Sequence, residues 1–405
     1  MSDTQTQAVP ASAKRNVVIL FLAQAIIGAQ APMHIVIGGL AGALLANNAA
    51  LATLPISVVV LVTMFMAPCI SLLMGRFGRR SGFLLGAAAG ACGALVVIRA
   101  LYVESFALLM IGSACFGIMQ AAQAFYRFAA ADEVPDRVKP KAISLVLAGG
   151  LVSALLGPEL VQRFGDTLAP VQFAGAYLAI IYLNAAGAVV LLFLRLPKPT
   201  RLPRGVTAGR PLGVICREPK VIGAVACAMI SYAVMSLVMT STPLAMIAHG
   251  FTSDHAADVV RWHVFAMFAP SFFTGFVIAR IGHLPVVATG MALLALCSLI
   301  ALAGVELQRF YLALIALGVG WNFGFIGATS LLATTHSRAE QAKVQGLNDF
   351  LVFGLVSLAS FSSGALLNAF GWTAVQRVAI PCVGLAFVVV VGLAFARRRP
   401  SSVKA

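Results

Sequence analysis

The most informative polar residue of this sequence is an acid inside an apolar segment. Asp349 lies in the apolar run 341–370, and a helix would place it about 12 Å beyond Gln341 at 1.5 Å per residue. If that run crosses a bilayer, a carboxyl group at this depth has to be protonated, ion-paired or in contact with water. We therefore predict a proton-coupling or gating role for Asp349, with a purely structural ion pair as the alternative. The expected partner is Arg127, and Arg76 is the second choice.

Few other side chains offer chemistry. His34 could titrate during a reaction cycle because histidine titrates near neutral pH, and a neutral histidine that bridges two helices is the alternative. The sequence has neither a Gly-x-Ser-x-Gly nor a His-Glu-x-x-His motif, which mark hydrolases and zinc peptidases. Its seven cysteines show neither a disulfide framework nor a paired metal-ligand spacing. We therefore expect no enzymatic activity, no metal and no cofactor.

The composition places these residues in a membrane protein. The 405 residues are 60% hydrophobic and 10% charged, whereas soluble domains are about half apolar and about a quarter charged. Apolar runs of about 20 residues recur along the chain, which is the length that a helix needs to cross the hydrocarbon core. The first run is too long for a signal peptide and is expected to remain as helix 1. The breaks between runs predict twelve transmembrane helices near residues 17–45, 51–74, 82–101, 105–131, 141–164, 168–195, 219–247, 257–281, 284–305, 308–334, 341–370 and 373–396.

The basic residues orient the predicted helices. All but five of the 28 Lys and Arg residues fall on the side that contains both termini. Positive residues accumulate on the cytoplasmic side of membrane proteins, so we predict cytoplasmic termini in a multi-pass protein of the cytoplasmic (inner) membrane. Because the net charge of +15 is spread between spans, it does not indicate a nucleic-acid partner. The five exceptions are Arg99, Arg163, Arg261, Arg309 and Arg377.

A basic, proline-rich segment divides the chain into two halves. Residues 197–218 form the longest polar connection and are predicted to be a cytoplasmic linker. The linker separates an N-terminal six-helix bundle, residues 17–196, from a C-terminal six-helix bundle, residues 219–396. The remaining segments are a cytoplasmic N-terminal arm, residues 1–16, and a cytoplasmic tail, residues 397–405.

Sequence features repeat between the halves at an offset of about 200 residues. The pair Ala67-Pro68 precedes Arg76-Phe77-Gly78 in the first half, and Ala269-Pro270 precedes Arg280-Ile281-Gly282 in the second. Repeats in the same order predict two bundles related by an axis normal to the membrane, with a binding cavity between them.

The connection between predicted helices 2 and 3 resembles the signature loop of the major facilitator superfamily. The family pattern is roughly Gly-x-x-x-Asp-Arg-x-Gly-Arg-Arg. Ser71 stands in place of the first Gly and Gly75 in place of the Asp, so the charge network of this loop is expected to be incomplete. The span count, the linker and the half-repeat extend the resemblance to nearly the whole chain. It implies an all-α membrane protein with twelve helices in two six-helix bundles. The residues that match the loop are Arg76, Gly78, Arg79 and Arg80.

Shorter segments are similar to one branch of this family. Residues 126–132 and 141–150 resemble a bacterial branch that includes riboflavin importers. Markers of the family's drug/proton antiporters are incomplete: Ser113 occupies the position of their intramembrane Arg, and only Gly157-Pro158 remains of their helix 5 motif.

The resemblance implies a central cavity lined by predicted helices 1, 4, 7 and 10, whose polar residues here are mostly neutral. A buried amide needs hydrogen-bond partners, which water and ligand in a cavity would supply. Bonds between neighbouring helices are the alternative. Amides beside aromatic rings suit a planar, amphipathic solute that is held by stacking and directional hydrogen bonds. The candidate substrate-binding residues are Gln24, Gln30, His34, Gln120, Gln123, Tyr232, Trp321 and Asn322.

The resemblance also implies an outer gate. Predicted helices 5 and 8 meet in this family, and Glu159 and Arg261 each lie about 6 to 7 Å below the outer end of their helix. We predict that they pair when the transporter faces inward; independent contact of each charge with the lipid headgroups is the alternative.

These observations predict a secondary active transporter that moves a small organic solute by alternating access, with the proton as coupling ion. The chain is expected to act as a monomer in membrane lipid. Two alternatives within this class are a drug/proton antiporter and a riboflavin-type vitamin importer. A non-transporting membrane receptor or subunit is the alternative from a different class.

Overall fold

A computed structural model describes residues 10–47, 51, 53–165, 167–196 and 209–398. Most of the predicted linker, the tail from residue 399 and the first nine residues of the predicted arm lie outside the described residues. The first half of the chain forms six helices. They are α1 (Ala11–Ile27 and Gln30–Leu45), α2 (Leu54–Phe77), α3 (Arg79–Tyr102), α4 (Phe106–Ala124 and Tyr126–Ala129), α5 (Lys139–Phe164) and α6 (Ala174–Leu192).

The second half repeats this arrangement after a short helix, Leu212–Ile215. Its last helical stretch, Gln341–Arg398, is divided at Gly371, which has a φ of 78°. Eleven stretches of the described chain are long and apolar enough to cross a membrane, and the last of these is two helices long. The predicted twelve-helix fold is therefore confirmed. The helices are α7 (Pro219–Ala248), α8 (Ser253–Phe268 and Ser271–Ile281), α9 (His283–Leu302), α10 (Leu307–Leu332), α11 (341–370) and α12 (372–398).

The first helix begins earlier than predicted. It starts at Ala11 rather than near residue 17, and Asn16 in its second turn is buried and bonded to two connections of the first half. The Asn16 amide nitrogen donates to Glu133 and to the Arg195 carbonyl, each at 2.7 Å. This part of the predicted arm therefore belongs to the first bundle.

Glycine forms the tight connections between α2 and α3 and between α8 and α9. Gly78 has a φ of 93° and Gly282 a φ of 90°, in the left-handed region that favours glycine. Each donates its N–H to a carbonyl four residues earlier, Met74 in one half and Ile278 in the other. The same turn at matching places supports the predicted repeat of the two halves.

Small residues bring helices within each half close together. A Cβ atom placed on Gly93 of α3 would lie 2.8 Å from the Gly112 carbonyl of α4. In the second half, a Cβ atom on Gly290 of α9 would lie 2.4 Å from the Gly324 nitrogen of α10. Backbone contact of this kind drives helix association in lipid, where the hydrophobic effect between helices is weak.

The two halves meet along two helix pairs, α2 with α11 and α5 with α8. Their central contacts are equivalent: Met64 of α2 packs on Gly354 of α11, and Phe268 of α8 packs on Gly150 of α5. Further contacts between halves lie at the end of the bundle that carries Arg76 to Arg80. We call this the signature-loop end, and the opposite end the far end.

Candidate functional site

A buried ion pair joins the two halves beside their interface. The Arg127 guanidinium donates to Asp349 Oδ1 at 2.5 Å, and the side chains are 5% and 0% exposed. Arg127 lies in the turn that ends α4, where its Nη1 also donates to the Ala124 carbonyl at 2.8 Å. The partner expected from the sequence is therefore the one in the structure. A role of this pair in coupling stays a prediction.

The pair leaves hydrogen-bonding capacity unused. Asn348 Nδ2 donates to the same Oδ1 of Asp349 at 2.8 Å. Among the described residues, Asp349 Oδ2 and Arg127 Nε have no hydrogen-bond partner. A buried carboxylate oxygen without a partner is costly, so this oxygen is the natural place for a proton or a water molecule.

Aromatic rings from four helices of the second half pack above the ion pair. Trp321 and Phe325 of α10 stack with centroids 5.2 Å apart, and the Tyr232 ring of α7 meets them edge-on at 5.5 and 5.3 Å. The Arg127 guanidinium lies 5.0 Å from the centre of Phe325, a cation–π distance. We call these five rings the aromatic cluster: Tyr232, Phe268, Trp321, Phe325 and Phe353.

The cluster has a free donor and two accessible rings. Tyr232 and Phe268 are half-buried, whereas Trp321 is 2% exposed. Trp321 Nε1 has no hydrogen-bond partner among the described residues. A ligand that contacts the cluster can therefore stack on Tyr232 or Phe268, whereas the indole N–H of Trp321 is itself buried in this conformation.

Gln120 lies on the face of α4 that points between α1 and α2. Phe116 on one side of this face contacts the ring of His34 in α1, with centroids 4.9 Å apart. Gly117 on the other side packs against Val59 of α2. Successive helix residues are about 100° apart, which places Gln120 between these two contacts. Its side chain is half-buried.

Two further half-buried amides flank the interruption of α1. A Cβ atom on Gly28 would lie 2.8 Å from Gln123 Nε2, so the absence of a side chain there admits this amide. The side chain of Gln24 projects from α1 next to Gly149 of α5. The backbone carbonyl of Gln24 accepts a hydrogen bond from Ser153 at 2.7 Å. Gln24, Gln120 and Gln123 are therefore the predicted binding residues of the first half whose side chains stay partly accessible.

Gln30 and His34 face a different direction. Gln30 Oε1 accepts from Asn184 Nδ2 of α6 at 2.7 Å, and His34 Nδ1 lies 3.2 Å from the Tyr177 hydroxyl of α6. Both side chains are buried inside the first half. These contacts correspond to the helix-bridging alternative, and they place the two residues away from the interface.

The amide of Asn322 is likewise hydrogen-bonded to other residues of the protein. Its Nδ2 donates to the Met267 carbonyl at 2.7 Å and to the Ser271 hydroxyl at 2.6 Å, and its Oδ1 accepts from Thr274 at 2.6 Å. All three partners flank Pro270, at which α8 is interrupted, and proline removes one backbone donor. Asn322 therefore holds the break in α8, and it is fully buried.

Comparison with known proteins now fixes the family. A sequence model described as Major Facilitator Superfamily matches residues 17–269, more than half of the chain. The chain belongs to the major facilitator superfamily. It is a secondary transporter rather than a member of an enzyme family, as predicted.

Relatives within the superfamily cover most of the chain. It is 43% identical over 378 residues to the riboflavin transporter RfnT of Brucella anthropi, which covers 93% of this chain and 95% of that protein. It is 29% identical to the uncharacterized MFS-type transporter YddS of Bacillus subtilis, over 87% of this chain and 84% of that protein.

Solved superfamily structures share the fold. The transporter FucP in the outward conformation superimposes with a TM-score of 0.78 at 14% identity, covering 96% of this chain and 99% of FucP. A bacterial homologue of the iron transporter ferroportin in an outward-facing state gives a TM-score of 0.75 at 14% identity, covering 94% and 99%. At this identity the comparison supports two six-helix bundles and nothing about the substrate.

The superfamily signature loop takes part in a charge network although Gly75 stands in place of the Asp. Arg79 Nε donates to Asp132 at 3.1 Å, and its Nη2 donates to Gln345 of α11 at 2.6 Å. Gln341 donates to the same Asp132. The carboxylate that Arg79 contacts therefore comes from Asp132, in the connection between α4 and α5.

Of the remaining positions of the signature loop, Ser71 and Gly75 contact α11, and two arginines are exposed. A Cβ atom on Gly75 would lie 2.9 Å from Ala342 Cβ of α11, and Ser71 Oγ donates to the Ala342 carbonyl at 2.7 Å. Arg76 and Arg80 are exposed. The signature loop thus acts as a contact surface for the start of α11.

The structure is closed at the signature-loop end. Besides the Arg79 network, Lys139 Nζ donates to the Ala333 carbonyl at 2.8 Å across the halves. Ser144 of α5 donates to the Ser271 carbonyl of α8 and accepts from the Gly275 N–H at 3.1 Å. Sequence reasoning did not single out these residues, because their roles depend on which loops the fold brings together.

The predicted gate residues pair within their own helices. Glu159 accepts from Arg163 at 2.6 Å, and Arg261 donates to Asp258 at 2.9 Å. The Glu159–Arg261 pair is therefore not formed in this conformation. Because it was predicted for the conformation that closes the far end, it stays a prediction.

Proposed function

We propose that this transporter imports riboflavin, or a flavin closely related to it, across the cytoplasmic membrane. The observation that carries the proposal is the aromatic cluster, which lies in a chain that is 43% identical to a riboflavin transporter over 378 residues. Partly accessible rings in the second half and partly accessible amides in the first suit a planar heteroaromatic solute bound between the halves.

The chemistry of the flavin fits both walls of this interface. Its tricyclic ring is planar and can stack on Tyr232, while its polar edge offers carbonyl and N–H groups to Gln24, Gln120 and Gln123. Arg127 is already paired with Asp349, which favours an uncharged flavin over a phosphorylated one.

The distribution of basic residues supports an orientation with the signature-loop end in the cytoplasm. The conformation described here is then outward-facing, ready to receive solute from outside. We further propose proton coupling through Asp349, whose Oδ2 has no partner among the described residues. We propose that the monomer is the transporting unit, because each chain carries both halves of the interface.

Uptake in a riboflavin-auxotrophic host without its own flavin transporter tests the substrate. Expression is expected to restore growth at low riboflavin and to give saturable uptake of radiolabelled riboflavin. Unlabelled lumiflavin is expected to compete, and flavin mononucleotide to compete poorly. Tyr232→Ala is expected to raise KM about tenfold through loss of a stacking contact. Tyr182→Ala is the matched control, since Tyr182 is 60% exposed on α6.

The purified protein gives the decisive readout. Riboflavin fluorescence is expected to be quenched on binding in detergent, because flavins that stack on Trp or Tyr lose emission. If the expressed protein takes up no riboflavin and the purified protein does not quench its fluorescence, riboflavin is excluded as the substrate. Flavin export from loaded cells without inward accumulation would reverse the proposed direction.

A further inference from the structure

The end of the linker binds the second half through one arginine. Arg210 Nε and Nη2 donate to the two carboxylate oxygens of Glu340, at 2.7 and 3.0 Å. The Arg210 backbone N–H donates to the same carboxylate at 2.9 Å, and Lys343 donates to the Arg210 carbonyl. Glu340 is 4% exposed. A bidentate Arg–carboxylate pair with additional backbone bonds fixes the geometry of both partners.

The same guanidinium reaches two more elements. It donates to Glu218, which precedes α7, and to the Thr335 carbonyl, which follows α10, at 3.3 Å for the latter. Arg210 therefore joins the linker, the start of α7 and the connection between α10 and α11. We call this group of contacts the linker clasp.

The linker clasp lies directly beside the contacts that close the signature-loop end. Glu340 precedes Gln341, which donates to Asp132 of the first half. One position further, the Ala342 carbonyl accepts from Ser71 at 2.7 Å. The first turn of α11 thus carries the clasp and the gate contacts on consecutive residues, and a displacement of one displaces the other.

The first half contains a matching group. Asn16 at the start of α1 donates to Glu133 and to the Arg195 carbonyl at the end of α6, each at 2.7 Å. Glu133 follows Asp132, the acid that receives Arg79 and Gln341. In each half, therefore, a residue near the start of the first helix binds a glutamate. That glutamate is next in sequence to a residue that contacts the other half, Asp132 or Gln341.

We propose that Arg210 and Asn16 are positioning residues of the transport cycle. Arg210 holds the α10–α11 connection and Asn16 the α4–α5 connection in the places that close the signature-loop end. The described end of the linker, residues 209–218, then supports the closed signature-loop end rather than only connecting the halves. This inference concerns the balance between conformations, so it does not depend on the identity of the substrate.

The linker clasp keeps the same charge throughout the physiological pH range. The hydrogen bond from Arg210 holds the pKa of the Glu340 carboxyl well below its usual range. Glu340 therefore stays ionised at any pH that a cell experiences, and the clasp does not titrate along with proton coupling.

Distance measurement between spin labels tests the proposal. Val103 and Val305 lie in exposed connections at the far end, one in each half, and can carry labels as cysteines in a background without native cysteines. The label distance is expected to shorten when the far end closes. Arg210→Gln and Asn16→Ala are each expected to raise the short-distance fraction relative to the long by about threefold or more. Arg210→Lys is expected to fall in between.

A matched control separates positioning from general destabilisation. Arg217 lies on the same segment with an exposed side chain, so Arg217→Gln is expected to leave the distances unchanged. Size-exclusion profiles report folding, and Arg210→Lys and Asn16→Ala carry the test if Arg210→Gln does not fold. Unchanged distance distributions in the folded Arg210 and Asn16 variants would overturn the proposal.

Discussion

The contact between Gly150 and Phe268 offers a sharp test of how the halves close. A Cβ atom on Gly150 of α5 would lie 2.5 Å from Phe268 Cε1 and 2.6 Å from its Cδ1. Real Cβ atoms do not approach carbon this closely, so Gly150→Ala must displace the ring. The ring cannot move freely, because its other neighbours include Trp321, with centroids 5.7 Å apart.

The magnitude follows from the cost of overpacking. One added methyl group in a packed interface costs about 1 to 3 kcal/mol. That cost falls on the conformation in which α5 and α8 touch at this point, and separation of the helices removes it. Since about 1.4 kcal/mol is a factor of ten, the ratio of closed to open signature-loop end is expected to fall by a factor between about 5 and about 140.

Spin labels at residues 103 and 305 measure this ratio directly. The equivalent position in the other helix pair provides the control, because a Cβ atom on Gly354 would lie 3.2 Å from Met64 Sδ. Methionine is flexible and can move away, so Gly354→Ala is expected to shift the ratio less than Gly150→Ala. Phe268→Leu should restore the Gly150→Ala variant in part. Equal shifts in the two alanine variants, or none in Gly150→Ala, would refute the reasoning.

Three further predictions concern buried polar groups. Asp349→Asn is expected to abolish accumulation driven by a pH gradient while solute exchange persists; unchanged accumulation in proteoliposomes would contradict a coupling role. Asn322→Ala is expected to destabilise the fold by about 1 to 3 kcal/mol with KM unchanged, as measured by thermal unfolding and uptake; a raised KM at full stability would assign it to the ligand instead. His336 Nε2 lies 3.4 Å from Gln345 Nε2, and Gln345 Oε1 already accepts from Arg79, so this contact fits a neutral imidazole that accepts a hydrogen bond from the amide. Burial lowers the pKa of His336, and its protonation as pH falls below about 6.5 is expected to favour opening of the signature-loop end; His336→Gln should remove this pH dependence of the label distances.

The sequence determined the number and approximate bounds of the helices. Each apolar run is a local property, and its length is set by the thickness of the hydrocarbon core. The Arg127–Asp349 pair was also predictable, because a charge buried at that depth needs a partner and few candidates exist. The turn at Gly78 is local as well, since the backbone there requires a positive φ.

Tertiary structure alone decided which polar groups remain available. Gln30, His34 and Asn322 were candidates for ligand binding by residue type and helix number, yet packing turns them towards α6 and α8. The rotation of a helix about its axis depends on the small residues of its neighbours, which hydropathy does not reveal.

The gate depended even more on the fold. Arg79 forms an ion pair with Asp132, 53 residues away, and Arg210 forms one with Glu340, 130 residues away. Sequence shows that charges lie in the connections between helices, but the pairing follows from which connections the two bundles bring together. Ion pairing acts over a few ångströms in space, whereas a single sequence records only the order of residues along the chain.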